Sequence, residues 1–313
     1  MASYLVTGGS GFIGSHIVEY LVEKGENVRV LDNFSTGRRS NIEPFLDSID
    51  LIEGDLRSTA DCQRAVSDID YVLHQGAVPS VPRSVADPLL SNEANVTGTL
   101  NLLIAARDKK VRRLVFASSS SVYGDQEAEY KSEDLKINPL SPYAATKAMG
   151  EHYLRSFSEC FGMETVALRY FNVFGPRQDP DSPYSAVIPL FIKAILNGSR
   201  PTVHGDGLQA RDFTFVRNNV HANILAATAD FKPTGQAYNI ACGTSCNLLE
   251  LIDGINKALG TNVEPVFDEA RVGDIRISKA NISRASQDIG YKATTSLQDG
   301  LLETIAYYRT SSS

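Results

Sequence analysis

An α/β fold built on a doubly wound parallel sheet is what this 313-residue sequence predicts, and two observations carry the prediction. Strand-like and helix-like runs alternate through the first half of the chain, and a glycine-rich turn sits between the first strand and the first helix. In order, the pattern predicts a strand at Tyr4-Leu5-Val6, a helix from Ile13 to Lys24, strands at Val28–Leu31 and Asp50–Glu53, a helix near Thr59–Val66 and a strand at Tyr71–His74. A helix from about Asn95 to Lys109 then precedes the strand Leu114–Ala117, and a helix from Tyr143 to Phe161 precedes Thr165–Leu168. Beyond Arg169 the rhythm breaks. Pro176, Pro180 and Pro183 punctuate a polar loop before a helical stretch from Val187 to Asn197, which predicts a second, smaller α/β lobe. Phe213–Val216 and Gln236–Ile240 read as strands returning to the main sheet, so that lobe is expected to be discontinuous. The expected division is 1–169 plus about 212–241 for the first domain and about 170–211 plus 242–313 for the second.

Composition narrows the function classes. At 42% hydrophobic and 21% charged residues the chain is an ordinary globular sequence, and its apolar runs fall far short of the roughly 18 residues a membrane span needs. A net charge of −7 opposes binding to nucleic acid or to anionic lipid. The start of the chain carries no basic, apolar leader, so a cytoplasmic protein is expected. Cys62, Cys160, Cys242 and Cys246 lack the spacing of a zinc site, and no metal is expected.

The glycine turn reads Gly8-Gly9-Ser10-Gly11-Phe12-Ile13-Gly14. Gly8 permits the tight turn, Gly11 lets the backbone approach a pyrophosphate, and Gly14 lets the helix close on the strand with its N–H groups aimed at anionic oxygens. Asp32 follows at the end of the second strand. A carboxylate there accepts hydrogen bonds from both ribose hydroxyls and repels a 2′-phosphate, which favours NAD over NADP on a Rossmann sheet. Asp55-Leu56 and Gln75-Gly76-Ala77 end the third and fourth strands, where such a sheet presents loops to its ligand.

Tyr143 and Lys147 stand four apart at the start of a predicted helix announced by Ser141 as N-cap and Pro142 behind it, which puts them on one face. A lysine ammonium near a phenol, with the positive nicotinamide, stabilises phenolate, so a lowered tyrosine pKa is expected. The preceding strand runs into Ser118-Ser119-Ser120-Ser121, hydroxyls at its carboxyl end.

With these motifs in this order the chain resembles the extended, sugar-nucleotide branch of the short-chain dehydrogenase/reductase superfamily that contains the UDP-glucose 4-epimerases. The resemblance runs through Thr7–Gly14, Leu31-Asp32-Asn33, Gly54-Asp55-Leu56, Ser118–Gly124, Ser141–Lys147, Leu168–Pro176 and Arg271–Ile275. It implies NAD contacts at Gly8, Gly11, Phe12, Ile13, Asp32, Asn33, Ser35, Thr36, Gly37, Asp55, Leu56, Gln75, Ala77, Tyr143, Lys147 and Phe171. It implies catalysis by Ser119, Tyr143 and Lys147, with Ser120 assisting. A UDP-sugar would lie against Asn172, Val187 and Gln209, its diphosphate gripped by Arg211 and Arg271 near Asp274, with Ser80 and Ser278 at the sugar.

The implied reaction is inversion at C4. Tyr143 takes the C4 hydroxyl proton while hydride leaves for NAD, the 4-keto sugar turns over, and hydride returns to its other face. The small residues at Pro79-Ser80-Val81 and Ser278 imply that UDP-GlcNAc and UDP-GalNAc fit, with UDP-Glc and UDP-Gal tolerated. The alternatives are a 4,6-dehydratase, a UDP-glucuronate 4-epimerase or decarboxylase, and a non-catalytic NAD-binding regulator. Dehydratases carry Asp-Glu where Ser120-Ser121 stand here. The resemblance also implies a homodimer pairing the helices near Leu100–Arg107 and Ala148–Phe157.

Overall fold

A computed structural model describes residues 1–126, 128–180, 186–270 and 276–311. Its centre is a seven-stranded parallel sheet. The first half supplies β1 (Ser3–Thr7), α1 (Phe12–Glu23), β2 (Asn27–Asp32), β3 (Ile49–Glu53), α2 (Thr59–Ala65) and β4 (Tyr71–His74). Then come α3 (Val81–Ala86), α4 (Pro88–Asn92), α5 (Gly98–Asp108), β5 (Arg113–Ser119), α6 (Pro142–Phe161) and β6 (Glu164–Tyr170). A π-helical turn over Glu93–Thr97 joins α4 to α5.

β7 (Val173–Phe174), α7 (Val187–Leu196), β8 (Thr202–His204), β9 (Ala210–Arg211), β10 (Thr214–Phe215) and α8 (Val216–Thr228) follow. The chain ends with β11 (Ala237–Ile240), β12 (Cys246–Asn247), α9 (Leu248–Leu259), β13 (Val266–Asp268), β14 (Ile277–Ser278), α10 (Ser283–Ile289) and α11 (Leu297–Ser311).

The sheet order is β11-β6-β5-β4-β1-β2-β3, every pair parallel. Chain direction across the sheet reverses between β1 and β4, and loops leaving those two strands diverge and open a crevice at their carboxyl ends. Both faces are covered, so the strands bury residues on each side with a period of two. Tyr4 and Val6 of β1 and Val115 and Ala117 of β5 face α1, α8 and α10, whereas Leu5, Leu114 and Phe116 face α2, α5 and α6.

A separate core lies in the second lobe, where Phe174, Ile188, Phe191, Phe213, Phe215, Leu251, Ile252 and Leu301 pack together. Here one expectation fails. Phe213–Val216 does not return to the main sheet: Thr214 and Phe215 pair with Val173 and Phe174, and Val216 already opens α8. Only Ala237–Ile240 joins the sheet, beside β6. The aromatic rings of Phe213 and Phe215 are drawn into the second core, and the short strand the run forms pairs there with β7 instead of with the main sheet. Among the described residues no helix is long and apolar enough to cross a membrane.

α6 lies close against β5 because Gly150 faces the Phe116 ring; a Cβ at 150 would stand 2.4 Å from that ring. Gly150→Ala is expected to destabilise the protein by about 1–3 kcal/mol, as overpacking does. Thermal or urea unfolding of the variant against the parent measures it.

Candidate active site

The crevice at the β1/β4 reversal is a cleft of about 630 Å³. Gly8 takes the left-handed conformation (φ +66) that turns the chain out of β1, and a Cβ on Gly14 would sit 2.1 Å from the Gly8 carbonyl oxygen. A Cβ on Gly37 would stand 1.9 Å from Ser10 Oγ. The N-cap of α1, Gly11, has no side chain to satisfy the first N–H groups, and the first turn carries no acidic residue. Bare N–H groups at a helix N-terminus, with room above them, suit an anion.

Asp32 is nearly buried and does more than was expected of it. Its Oδ2 accepts from the Ser10 N–H at 2.9 Å and its Oδ1 from the Phe34 N–H at 2.8 Å, so it ties the glycine turn to the loop after β2. Each oxygen keeps a lone pair for a ribose hydroxyl. Asp55 is held by Arg57 and by Asn33, whose amide donates at 2.8 Å, and this company keeps its carboxyl well below the usual range.

The strand ends on either side of the reversal are joined through one buried histidine. Thr99 Oγ1 spends its proton on the Asn95 carbonyl (2.6 Å), so it accepts from His74 Nε2 (2.9 Å). His74 Nδ1 then accepts from Thr7 Oγ1 (2.7 Å), which itself accepts from the Gly76 N–H (3.0 Å). Burial pushes the imidazole down to about 3, so it stays neutral and keeps one tautomer.

Of the residues expected to touch NAD, Gly8, Gly11, Phe12, Ile13, Asp32, Asn33, Ser35, Thr36, Gly37, Asp55, Leu56, Gln75, Ala77, Tyr143 and Lys147 all line this cleft. Phe171 does not. Its side chain is sealed against Tyr123, Ala148 and Ala241, and the wall is made by its neighbour Tyr170, because alternate residues of β6 face opposite sides.

α6 starts as expected, with the Ser141 hydroxyl accepting from the Ala144 N–H (3.1 Å) and Pro142 at the first turn. A second cap comes from another helix: the buried Ser84 hydroxyl of α3 accepts from the Tyr143 N–H at 2.9 Å. Lys147 is buried, donates to the Ala117 carbonyl at 2.8 Å, and stands 5.8 Å from the Tyr143 ring centroid. Burial pulls its ammonium down to about 8. The expected lowering of Tyr143 does not occur in the protein alone. Burial pushes its phenol up to about 12, and the Ser119 hydroxyl bonded to it offsets only part of that. Ser119 Oγ accepts from the Ser121 hydroxyl (2.9 Å) and backbone N–H (3.2 Å), so its own proton is the one directed at the Tyr143 phenol. Ser120 sits in the 3₁₀ turn that follows, half-buried.

A second cavity of about 500 Å³ opens beyond β6, lined by Asn172, Val187, Gln209 and Arg211 as expected, and also by Arg200 and His204. Neither of those two stood out in sequence, since an arginine before a proline and a histidine before a glycine carry no motif. Asn172 is left-handed (φ 34), a conformation asparagine tolerates, and its amide donates to the Asp212 carbonyl at 3.0 Å. Ser278 pairs with Arg211 across β14 and β9, so it is a strand residue beside the arginine and caps no helix. The Ser80 hydroxyl, by contrast, caps α3, accepting from the Arg83 N–H at 3.4 Å, and the cleft is lined by Pro79 and Arg83 on either side of it. Arg271 and Asp274 lie outside the described residues.

The cleft thus fits a dinucleotide: glycines where any Cβ would fill the cradle, free helix N–H groups, and a buried Asp at the ribose end. Protein denatured after purification is expected to release NAD, and Gly14→Ala is expected to cut the amount released about tenfold or more, because a methyl cannot share space with the Gly8 carbonyl. Chromatography of the released nucleotide checks both; recovery of mainly NADP would contradict the role of Asp32.

Comparison with known proteins agrees with this geometry. Residues 4–241 match the NAD dependent epimerase/dehydratase family. The chain is 36% identical to a putative UDP-glucose 4-epimerase of Methanocaldococcus jannaschii over 97% of this chain and 98% of that one. Its structure is similar to the UDP-N-acetylglucosamine 4-epimerase of Methanobrevibacter ruminantium in complex with UDP-N-acetylmuramic acid, with a TM-score of 0.94, 42% identity and 99% of both chains covered. It is also similar to the UDP-glucose 4-epimerase of Thermus thermophilus in complex with NAD, with a TM-score of 0.87, 36% identity, and 98% and 99% of the two chains covered. The chain therefore belongs to the NAD dependent epimerase/dehydratase family of enzymes.

Proposed function

We propose that this enzyme interconverts UDP-sugars at C4, with UDP-GlcNAc and UDP-GalNAc as its preferred pair and UDP-Glc and UDP-Gal tolerated. The observation that carries the reading is that the two cavities are lined by residues two apart at the end of β6. Tyr170 lines the dinucleotide cleft and Asn172, two residues on, lines the cavity holding Arg211, with Tyr143 and Lys147 on the cleft wall. A diphosphate gripped by Arg211 extends its sugar toward Tyr143.

In this reading the Ser119 hydroxyl donates to the C4 oxygen and orients it, and Tyr143, as phenolate, takes the C4 hydroxyl proton and later gives it back. Lys147 holds a positive charge below the phenol and binds the nicotinamide ribose. The glycine turn and Asp32 would hold NAD, which when bound would supply a hydride acceptor and donor and a second positive charge. That second cation matters, because burial holds the tyrosine at about 12 and Lys147 by itself does not overcome it. A dehydratase would need an acid after Ser119, and Ser120 and Ser121 offer only hydroxyls.

The substrate lobe comprises about 170–211 and 242–313. A second copy of the chain is proposed to pair with α5 and α6, where Met149 and Phe161 are 43% and 52% exposed. The four unpaired cysteines suit the cytoplasm as the place of action.

Three outcomes test the reading. Tyr143→Phe is expected to lower epimerisation about 10²–10⁴-fold with nucleotide binding kept, and turnover within about threefold of the parent would remove the assigned role. Lys147→Met removes a cation that favours phenolate, so the acid limb of the kcat–pH profile is expected to move to higher pH. Ser278→Tyr adds volume beside Arg211 and is expected to cut kcat/KM for the acetamido sugars about tenfold to a hundredfold relative to the plain hexoses; an equal loss for both classes would contradict the pocket assignment.

A further inference from the structure

Three successive residues at the end of β5 are each bonded to one face of α6. The Ala117 carbonyl accepts from Lys147, the Ser118 hydroxyl donates to Glu151 Oε1 at 2.5 Å, and Ser119 meets Tyr143. Tyr143, Lys147 and Glu151 recur every four residues, so they share that face. Two of these rungs belong to the reaction proposed above. The third is a buried carboxylate with no part in it.

Glu151 is 7% exposed and paired with Arg169 of β6, itself 5% exposed, through a two-pronged contact: Nε to Oε1 at 2.9 Å and Nη2 to Oε2 at 2.7 Å. The remaining guanidinium nitrogen, Nη1, donates to the Tyr123 hydroxyl at 2.8 Å, and Tyr123 donates to Asn239 Oδ1 of β11 at 2.6 Å. The Asn239 amide donates in turn to the carbonyls of Lys131 (2.9 Å) and Asn281 (3.1 Å). Ser118 precedes Ser119 and Tyr123 follows it by four residues, so one ion pair grips the chain on both flanks of Ser119. Burying two charges is costly and seldom adds stability over apolar packing; what it imposes is a single geometry.

We propose that Glu151 and Arg169 are positioning residues, which hold the Ser118–Tyr123 segment so that the Ser119 hydroxyl stays aligned on the Tyr143 phenol; the kinetic part of this inference rests on the epimerase reading. Ser118 is the link through which the carboxylate reaches the catalytic strand, and Tyr123 the link through which the guanidinium reaches the turn after it. Neither is assigned a contact with the sugar in this scheme; Ser118 lines the dinucleotide cleft, so NAD content is read beside kcat. The cleft that Tyr143 lines also holds the charged or titratable side chains of Asp32, Asp55, Arg57, Arg83, Asp87, Lys147 and Tyr170, and His74 is buried within electrostatic reach of Lys147. The variants change none of them.

The test uses NAD-loaded Ser118→Ala, Tyr123→Phe and Glu151→Gln beside the parent. Ser118→Ala leaves the ion pair and the fold in place, so it carries the argument if Glu151→Gln fails to fold. Expected for Ser118→Ala are a fall in kcat of about tenfold from misalignment, a KM for UDP-GlcNAc within about twofold of the parent, and unchanged NAD content. The titration midpoint of Tyr143, followed by 13Cζ-tyrosine NMR and assigned by the signal missing in Tyr143→Phe, is expected to rise by about half a pH unit or more as the Ser119 bond weakens. If kcat and midpoint match the parent in both Ser118→Ala and Tyr123→Phe, or if any loss of kcat only tracks lost NAD or lost fold, the network is structural and the proposal falls. Should the parent epimerise no UDP-sugar, the substrate reading fails, while the Tyr143 midpoint still decides the positioning claim.

Discussion

The carbonyl of Gly8 and the α-carbon of Gly14 approach so closely that no side chain fits between them, and much of the enzyme's geometry follows from that contact. It seats α1 directly on the end of β1, which aims the helix's unsatisfied N–H groups into the crevice where the sheet reverses. Asp32 reaches across to the Ser10 N–H and fixes the same turn from the neighbouring strand. Through Thr7 and His74 the adjacent strand end is bound as well, so the floor of the cleft is braced from β2 and from β4. With the floor rigid, Ser119, Tyr143 and Lys147, the groups proposed to carry the reaction, need only be held at the correct height above it. The rungs from α6 to β5 do this.

The proposed reading joins two opposite kinds of chemistry. Anions would be met by the exposed N–H groups of α1 in the cleft and by Arg211 in the second cavity, which work while partly wet. The tyrosine end is dry: Lys147 and its surroundings are buried deeply enough to pull the ammonium down and push the phenol up. Burial by itself makes Tyr143 a poor base, so in the proposed reaction a positive charge near the phenol has to favour its ionised form. A protein whose net charge is −7 thus concentrates positive charge at the few points where it is used.

The parts of this design legible in sequence are those in which the determinants lie close together along the chain. The glycine turn, the Ser141-Pro142 start of α6 and the Tyr143/Lys147 spacing are local signals with local causes. Ser119 could be assigned only through the resemblance, since four serines in a row offer no physical basis for choosing one. Phe213–Val216 misled because a run of large apolar residues looks the same whether it enters a sheet or a second core. Ser80 looked like a sugar contact, yet a serine before Val81-Pro82 is also a helix cap, and capping is how its hydroxyl is used. Ser84, Glu151 and Asn239 were invisible for another reason. Their partners stand 59, 33 and 116 residues away, at Tyr143, Ser118 and Tyr123, and nothing local marks such pairs.

The loop after Ser119 has a bearing on the order in which the enzyme is made. Lys131 donates its N–H to the Lys279 carbonyl and accepts from the Asn281 N–H, so a segment beside the catalytic serine is completed by residues near the end of the chain. During vectorial synthesis strands β1 to β4 are all present once His74 has left the ribosome, whereas the far wall of the crevice awaits Tyr143, Lys147 and Tyr170. The edge that carries Ser119 waits longer: until the last tenth or so of the polypeptide emerges, Asn239 lacks the carbonyl of Asn281 and the 131 loop lacks its β-bridge to Ala280. The Ser118–Tyr123 segment therefore gains its full set of supporting hydrogen bonds only when the end of the chain folds back on the first half.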